Sequence, residues 1–270
     1  MVAVASLAVL ALLALTIIEA TRGSTRSARA ELDRAQLSAA ADAGIALAVQ
    51  GLAQTNAARR WQPDGRLREV DFAGTALAIR IEEELAKVPI NNLNDEQAEA
   101  LLSEFGLRGA ELEEARDALL DWRDGDDEPR LRGKERADYA DVGVQPRNGP
   151  LRSNSELAAI PAIGPELALR MDPYITIFAP VSGRFAVANA TPLARRVMAD
   201  RVFDDGFAGV AVATGGLGAD ETGRDEDSLI GRPLRIIVRA RNASGSAAQR
   251  NVVIEMTGNP ARPYAVRSRE

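Results

Sequence analysis

Residues 1–18 read MVAVASLAVLALLALTII, a run without charge or proline. An apolar stretch of about this length is what a helix needs to cross the hydrocarbon core of a bilayer, since ~20 residues at ~1.5 Å each span ~30 Å. No basic residue precedes the run. Glu19 and Arg22 follow it, and the helical pattern continues without a turn signal, which is unlike a cleavable secretory signal. Arg22, Arg26, Arg29 and Arg34 lie just beyond the apolar run, where arginine can reach lipid headgroups. Leu37, Ala41, Ile45, Ala48 and Leu52 then step by three or four residues and share one helical face. The spacing predicts one helix of about 50 residues and ~75 Å, its first half apolar all round and its second half amphipathic.

Composition narrows the chemistry. The 270 residues leave room for one large domain or two small ones beyond this stem. There is no cysteine and no histidine, so disulfides, thiol chemistry, Ser-His-Asp triads and histidine metal sites are all excluded. Lys87 and Lys134 are the only lysines. A metal site would have to be built from oxygen ligands, which favours calcium or magnesium over zinc. The net charge of -6 disfavours a general nucleic-acid surface. Residues 89–177 hold 19 acids against 10 bases, a net of -9, so the middle third is a distinct acidic unit.

Beyond the stem, Gln62-Pro63-Asp64-Gly65 marks a turn, and residues 67–86 alternate as strands around Gly74. A helical pattern covers Asp95 to Trp122, with Trp122 a core residue, and a polar loop follows from Arg123 to Pro150. A helix near Ser155 and a short one at 166–171 precede strands at 174–179 and 184–189. Thr191 caps a helix whose first residue is Pro192. A glycine-rich, acidic loop at 215–227 leads to two last strands, 234–240 and 248–257. Strands flanking an acidic, all-helical insert define an α+β chain.

The densest set of oxygen ligands is Asp121-Trp122-Arg123-Asp124-Gly125-Asp126, with Glu135 and Asp138 a few residues on. Asp124 and Asp126 alternate around a glycine, as carboxylates around a hard cation do, and Glu135 can return to complete the shell. Asp121, Asp124, Asp126, Glu135 and Asp138 are therefore the candidate metal ligands. The full EF-hand pattern is absent, and a solvated acidic loop paired with Arg123, Arg130 and Arg132 is the competing reading. Asn154 to Pro165 has the outline of a helix-hairpin-helix, the basis of an alternative as a membrane-anchored nucleic-acid-binding protein. Ala162 in place of the second hairpin glycine and the acidic surroundings oppose it. A tethered hydrolase using Asp124 and Glu135 is a third possibility, to be recognised by metal-dependent turnover. Gly215-Gly216-Leu217-Gly218 opens no helix and lacks the GK[ST] of a phosphate loop.

The order of motifs adds a further argument. The apolar helix is followed by Ala39-Ala40-Ala41-Asp42-Ala43-Gly44-Ile45, then Ile90-Asn91-Asn92-Leu93-Asn94, then Leu120-Asp121-Trp122-Arg123-Asp124 with Asp126. Gly133-Lys134-Glu135 with Tyr139, Arg147-Asn148-Gly149-Pro150-Leu151, Ser155-Glu156-Leu157, Tyr174-Ile175-Thr176-Ile177 and Val187-Ala188-Asn189-Ala190-Thr191 come next. This ordered set resembles the GspK (general secretion pathway protein K) family, the large minor pseudopilins of the bacterial type II secretion system.

The resemblance implies a pilin-like α+β fold, with a long N-terminal helix packed on an antiparallel sheet and an inserted all-helical domain. Residues 1–22 would be the transmembrane stem, 23–88 and 174–270 the two parts of the pilin domain, and 89–173 the insert. It further implies a non-enzymatic protein at the tip of a periplasmic pseudopilus, partnered by the minor pseudopilins I and J. Such a protein is held in the inner membrane by a single span, and structural calcium is bound in the insert. Ala5 near the place of the glutamate of major pilins fits the K component. The family is made with a short leader; with the apolar run at its start, this sequence is either near the mature form or begins at a start placed late.

Overall fold

The computed structural model describes residues 2–140, 143, 145–180, 185–199 and 228–269, with the backbone course alone for 2–22. The loop at 215–227 and the beginning of the strand expected at 184–189 lie outside the described residues. Two compact units are formed, one by Met1–Ile81, Ile236–Val253 and Ser268–Glu270, the other by Glu82–Arg235 and Ile254–Arg267.

α1 runs unbroken over Val2–Leu52. No proline interrupts it, and its many alanines and leucines are strong helix formers. Residues 23–36 are largely exposed, and burial begins at Leu37 and continues through Ala41, Ile45, Ala48 and Leu52, the face expected from their spacing. Among the described residues no helix is long and apolar enough to cross a membrane. The apolar run itself falls where only the backbone course is described.

The strands are β1 (Asp64–Phe72), β2 (Thr75–Glu83), β3 (Val88–Pro89), β4 (Ile175–Thr176), β5 (Pro233–Arg241), β6 (Ala247–Asn259) and β7 (Arg262–Arg269). Five of them form an antiparallel sheet in the order β1-β2-β5-β6-β7. Tight connections enforce the pairing. Between β1 and β2, Ala73 and Gly74 both have positive φ (51° and 77°), the requirement of a type I′ hairpin turn. β2 alternates in burial, with Leu77, Ile79 and Ile81 inward. In the first unit the inward side of the sheet meets α1. A Cβ built on Gly44 would lie 2.6 Å from Val238 Cγ1, so the helix approaches the sheet as closely as a glycine allows. The Arg250 guanidinium adds a hydrogen bond to Ser38 Oγ and an ion pair to Asp42 at 3.6 Å. Trp61 folds back over the end of α1 onto Gly51.

The second unit holds α2 (Asp95–Glu104), α3 (Gly109–Arg123), α4 (Gly164–Met171) and α5 (Pro192–Val197) around one apolar core. Asn94 and Gln97 close a reciprocal capping box at the start of α2. The helical pattern expected over 95–122 is two helices, because Gly106 turns to φ 100° and ends α2. Trp122 is core, as its place on the apolar face predicts. Asn154–Ala159 is a 3-10 helix packed on α4, and the hairpin between them is apolar, with Leu157, Ile160 and Ile163 buried. α5 begins as expected, with Thr191 Oγ1 accepting the Ala194 amide and Pro192 at the first position.

Two strand expectations are corrected. The run at 174–179 pairs only through Ile175–Thr176, parallel to Val88–Pro89. Its partner strand is two residues long and ends on a proline, which donates no ladder hydrogen bond. Val187–Asn189 is a 3-10 turn, not a strand. β7 is a strand that the pattern misses. Its side chains are almost all exposed, so no apolar alternation announces it, and the pairing with β6 defines it.

Candidate metal centre

The site forms where α3 ends. Asp124 caps the helix with its amide on Leu120 O (3.1 Å) and turns to extended backbone, which places Gly125 and Asp126 in a tight loop. Arg123 anchors that end by donating from its guanidinium to Ile90 O and Leu93 O. Burial, reinforced by neighbouring Arg130, brings the Arg123 guanidinium down to about 10.

Asp124, Asp126 and Glu135 each offer a carboxylate oxygen within 4.8 Å of the other two. Three like charges at this separation in a partly buried site repel strongly. Glu135 is only 2 % exposed, and both of its carboxylate oxygens are buried without a hydrogen-bond partner among the described residues. Asp124 Oδ1, Tyr139 Oη and Asn148 Oδ1 are buried in the same condition. Buried carboxylate oxygens normally find donors, and each that does not carries a desolvation cost. A cation among the three carboxylates would remove their repulsion and the deficit at Glu135 and Asp124.

The proton affinities have the same cause. Burial, then the charges of Asp121 and Asp124, push Glu135 up to about 7. Burial above all, helped by Asp124 and Asp117, raises Asp121 to about 6. Asp124 is raised by burial and by Asp126. Tyr139 is pushed up to about 12 by burial and by the carboxylates of Asp121 and Glu135. Its ring packs edge-on against Trp122, with centroids 5.8 Å apart.

Of the five candidates read from sequence, the fold brings together Asp124, Asp126 and Glu135. Asp121 is fully buried beside them, but its Oδ2 accepts the Arg130 amide (3.1 Å) and its Oδ1 lies 3.3 Å from Arg130 Nε. Asp138 is exposed, and its Oδ2 accepts the Glu135 amide at 2.9 Å, capping the turn that presents Glu135. Sequence reasoning did not single out Asn148 as a site residue. Its Nδ2 donates to Asp126 O (2.6 Å) and Asp127 Oδ1 (2.7 Å), pinning the acidic loop from 22 residues away. It holds φ at 48°, a left-handed conformation that asparagine tolerates, and its position before Gly149 is the local signal for it.

Residues 76–180 match the family model described as Type II secretion system (T2SS), protein K. No curated protein matches the chain. Among solved structures, the chain is similar to one in the GspK-GspI-GspJ complex from the type 2 secretion system of enterotoxigenic Escherichia coli. The TM-score is 0.60 at 16% identity, over 90% of this chain and 98% of that one. A likeness at that identity speaks for the fold, and the family model speaks for the sequence. The stretch similar to protein K, residues 76–180, contains the whole carboxylate cluster of Asp124, Asp126 and Glu135.

Proposed function

We propose that this chain is a minor pseudopilin that works by assembly and not by catalysis. It would sit at the tip of the periplasmic pseudopilus with the I and J minor pseudopilins and support export of folded proteins across the outer membrane. The protein K match over residues 76–180 carries this reading. The apolar run 1–18 serves as a single inner-membrane span before assembly, with the two units in the periplasm. On assembly the stem leaves lipid and packs against other stems, where helix packing offsets its extraction.

The carboxylate cluster holds a structural calcium ion in this reading. Asp124, Asp126 and Glu135 would be its ligands, and all are hard oxygen donors of the kind calcium takes. Bound, the ion supplies the positive charge that lets the three ionise side by side. The chain's own part is to hold the carboxylates convergent and to pin their loop through Asn148.

The test is co-purification of the full chain, in detergent, with the I and J pseudopilins of the same organism, with and without a calcium chelator. A ternary complex is the expected result, and a folded chain that joins neither partner would sink the assembly reading. The calcium reading is tested separately, by calorimetric titration of the full chain with calcium.

A further inference from the structure

The geometry points to Asp117 as the residue that positions Glu135 for the cation, through a strap formed by residues 130–134. This rests on the cation reading above. Asp117 and Asp121 are one helical turn apart on α3 and are 3 % and 0 % exposed. Asp117 Oδ2 accepts the Arg132 amide and Asp121 Oδ2 accepts the Arg130 amide, both at 3.1 Å. Two buried carboxylates thus capture alternate amides of the returning chain, and carboxylate–amide bonds are stronger than neutral ones.

Every second side chain of the strap repeats the register. Arg130 pairs with Asp95 (2.8 Å), Arg132 with Glu113 (2.6 Å) and Lys134 with Glu114 (3.0 Å). Leu131, between them, is 96 % exposed, so no apolar contact of its own holds the strap down. Gly133 lies so close to Asp121 that a Cβ there would be 1.8 Å from Oδ2. Glu135 is two residues further on. The surface ion pairs are each worth little. The buried amide capture therefore sets where Glu135 arrives. Among the described residues the convergent group is Asp124, Asp126 and Glu135, without Asp117, and Arg116 Nε donates to the other oxygen of Asp117 at 2.9 Å.

The experiment titrates the full chain, in detergent, with calcium alone, and follows calorimetric affinity together with melting temperature in chelator. Asp117→Ala removes the capture, and we expect calcium affinity to fall about tenfold, a loss of one charged hydrogen bond's worth. Asp117→Asn still offers an oxygen to the Arg132 amide but turns its NH2 towards the Arg116 guanidinium, so its affinity falls, and clearly less than that of Asp117→Ala. Gly133→Ala leaves α3 untouched and pushes the strap off Asp121; the same loss as Asp117→Ala is expected, and it stands in should that variant not fold. Unchanged affinity in Asp117→Ala, or an equal loss in Asp117→Asn, overturns the assignment. A parent chain that binds no calcium overturns the cation reading, and this assignment with it.

Discussion

The Asn91 side chain pairs with the backbone of Leu151 at both ends of its amide. Nδ2 donates to Leu151 O at 2.9 Å, and Oδ1 accepts from Leu151 N at 2.8 Å. Sixty residues apart in sequence, the two are joined as adjacent β-strands would be, and the join closes the far end of the loop that carries the acidic cluster. The neighbouring asparagines have different partners: Asn92 donates to Pro180 O and Asn94 caps α2. Asn91→Ala leaves the amide and carbonyl of buried Leu151 without partners. A loss of about 1–3 kcal/mol is expected, read as a lower denaturation midpoint at unchanged slope.

Removing Glu135's charge should separate the ion from the fold. Glu135→Gln is expected to melt at or above the parent's temperature in chelator at about pH 7.5, because a repelling, desolvated charge is gone. Added calcium should then raise its melting temperature far less than the parent's. Equal calcium-dependent rises in the two proteins would remove Glu135 from the ligand set.

Acidity should affect the calcium-free chain in an unusual direction. Glu135 keeps its proton to about 7 when folded against 4.5 ordinarily, and Asp121 to about 6 against 3.8. Between those values the folded state binds more protons than the unfolded one, so the cluster's contribution to stability falls as pH rises through roughly 4 to 7. Other carboxylates act oppositely, among them Glu84, which burial alone would raise but which Lys87 and Arg235 hold below its usual value. The difference between parent and Glu135→Gln isolates the cluster. In chelator, their melting temperatures should lie close together at about pH 4.5, where Glu135 is protonated, and separate towards about pH 7.5 to the variant's advantage. Saturating calcium should abolish that advantage.

Gly44 tests the packing of α1 within its own unit. A methyl on Gly44 would stand 2.6 Å from Val238 Cγ1, and valine is stiff at χ1. Gly44→Ala should therefore destabilise by about 1–3 kcal/mol despite alanine's better helix propensity. Gly23→Ala, at an open position on the same helix, should be neutral or slightly stabilising; equal effects at the two sites would refute the close approach.

The elements legible from residues are those whose own pattern suffices. α1 shows its buried face in the steps from Leu37 to Leu52, α5 shows its cap in Thr191-Pro192, and β2 shows its alternation. β7 has no such pattern, and the β-rich run at 174–179 has one without a partner long enough to use it. At the candidate site, residue types and the Asp124–Asp126 spacing were legible, and convergence was not. Asp121 and Asp138 carry the same carboxylate as Glu135, yet the fold commits both to backbone amides.

By itself, the sequence determined that the chain begins in an apolar helix, carries an acidic helical middle, has no thiol or imidazole chemistry, and can bind metal only through oxygen. Those properties depend on composition and on near-neighbour periodicity. Only the tertiary structure decided which carboxylates meet, that Asp117 and Asp121 capture the strap at 130–134, and that Asn148 and Asn91 close the loop. Those depend on contacts across up to sixty residues, where position comes from packing and hydrogen-bond satisfaction and leaves no period in the chain.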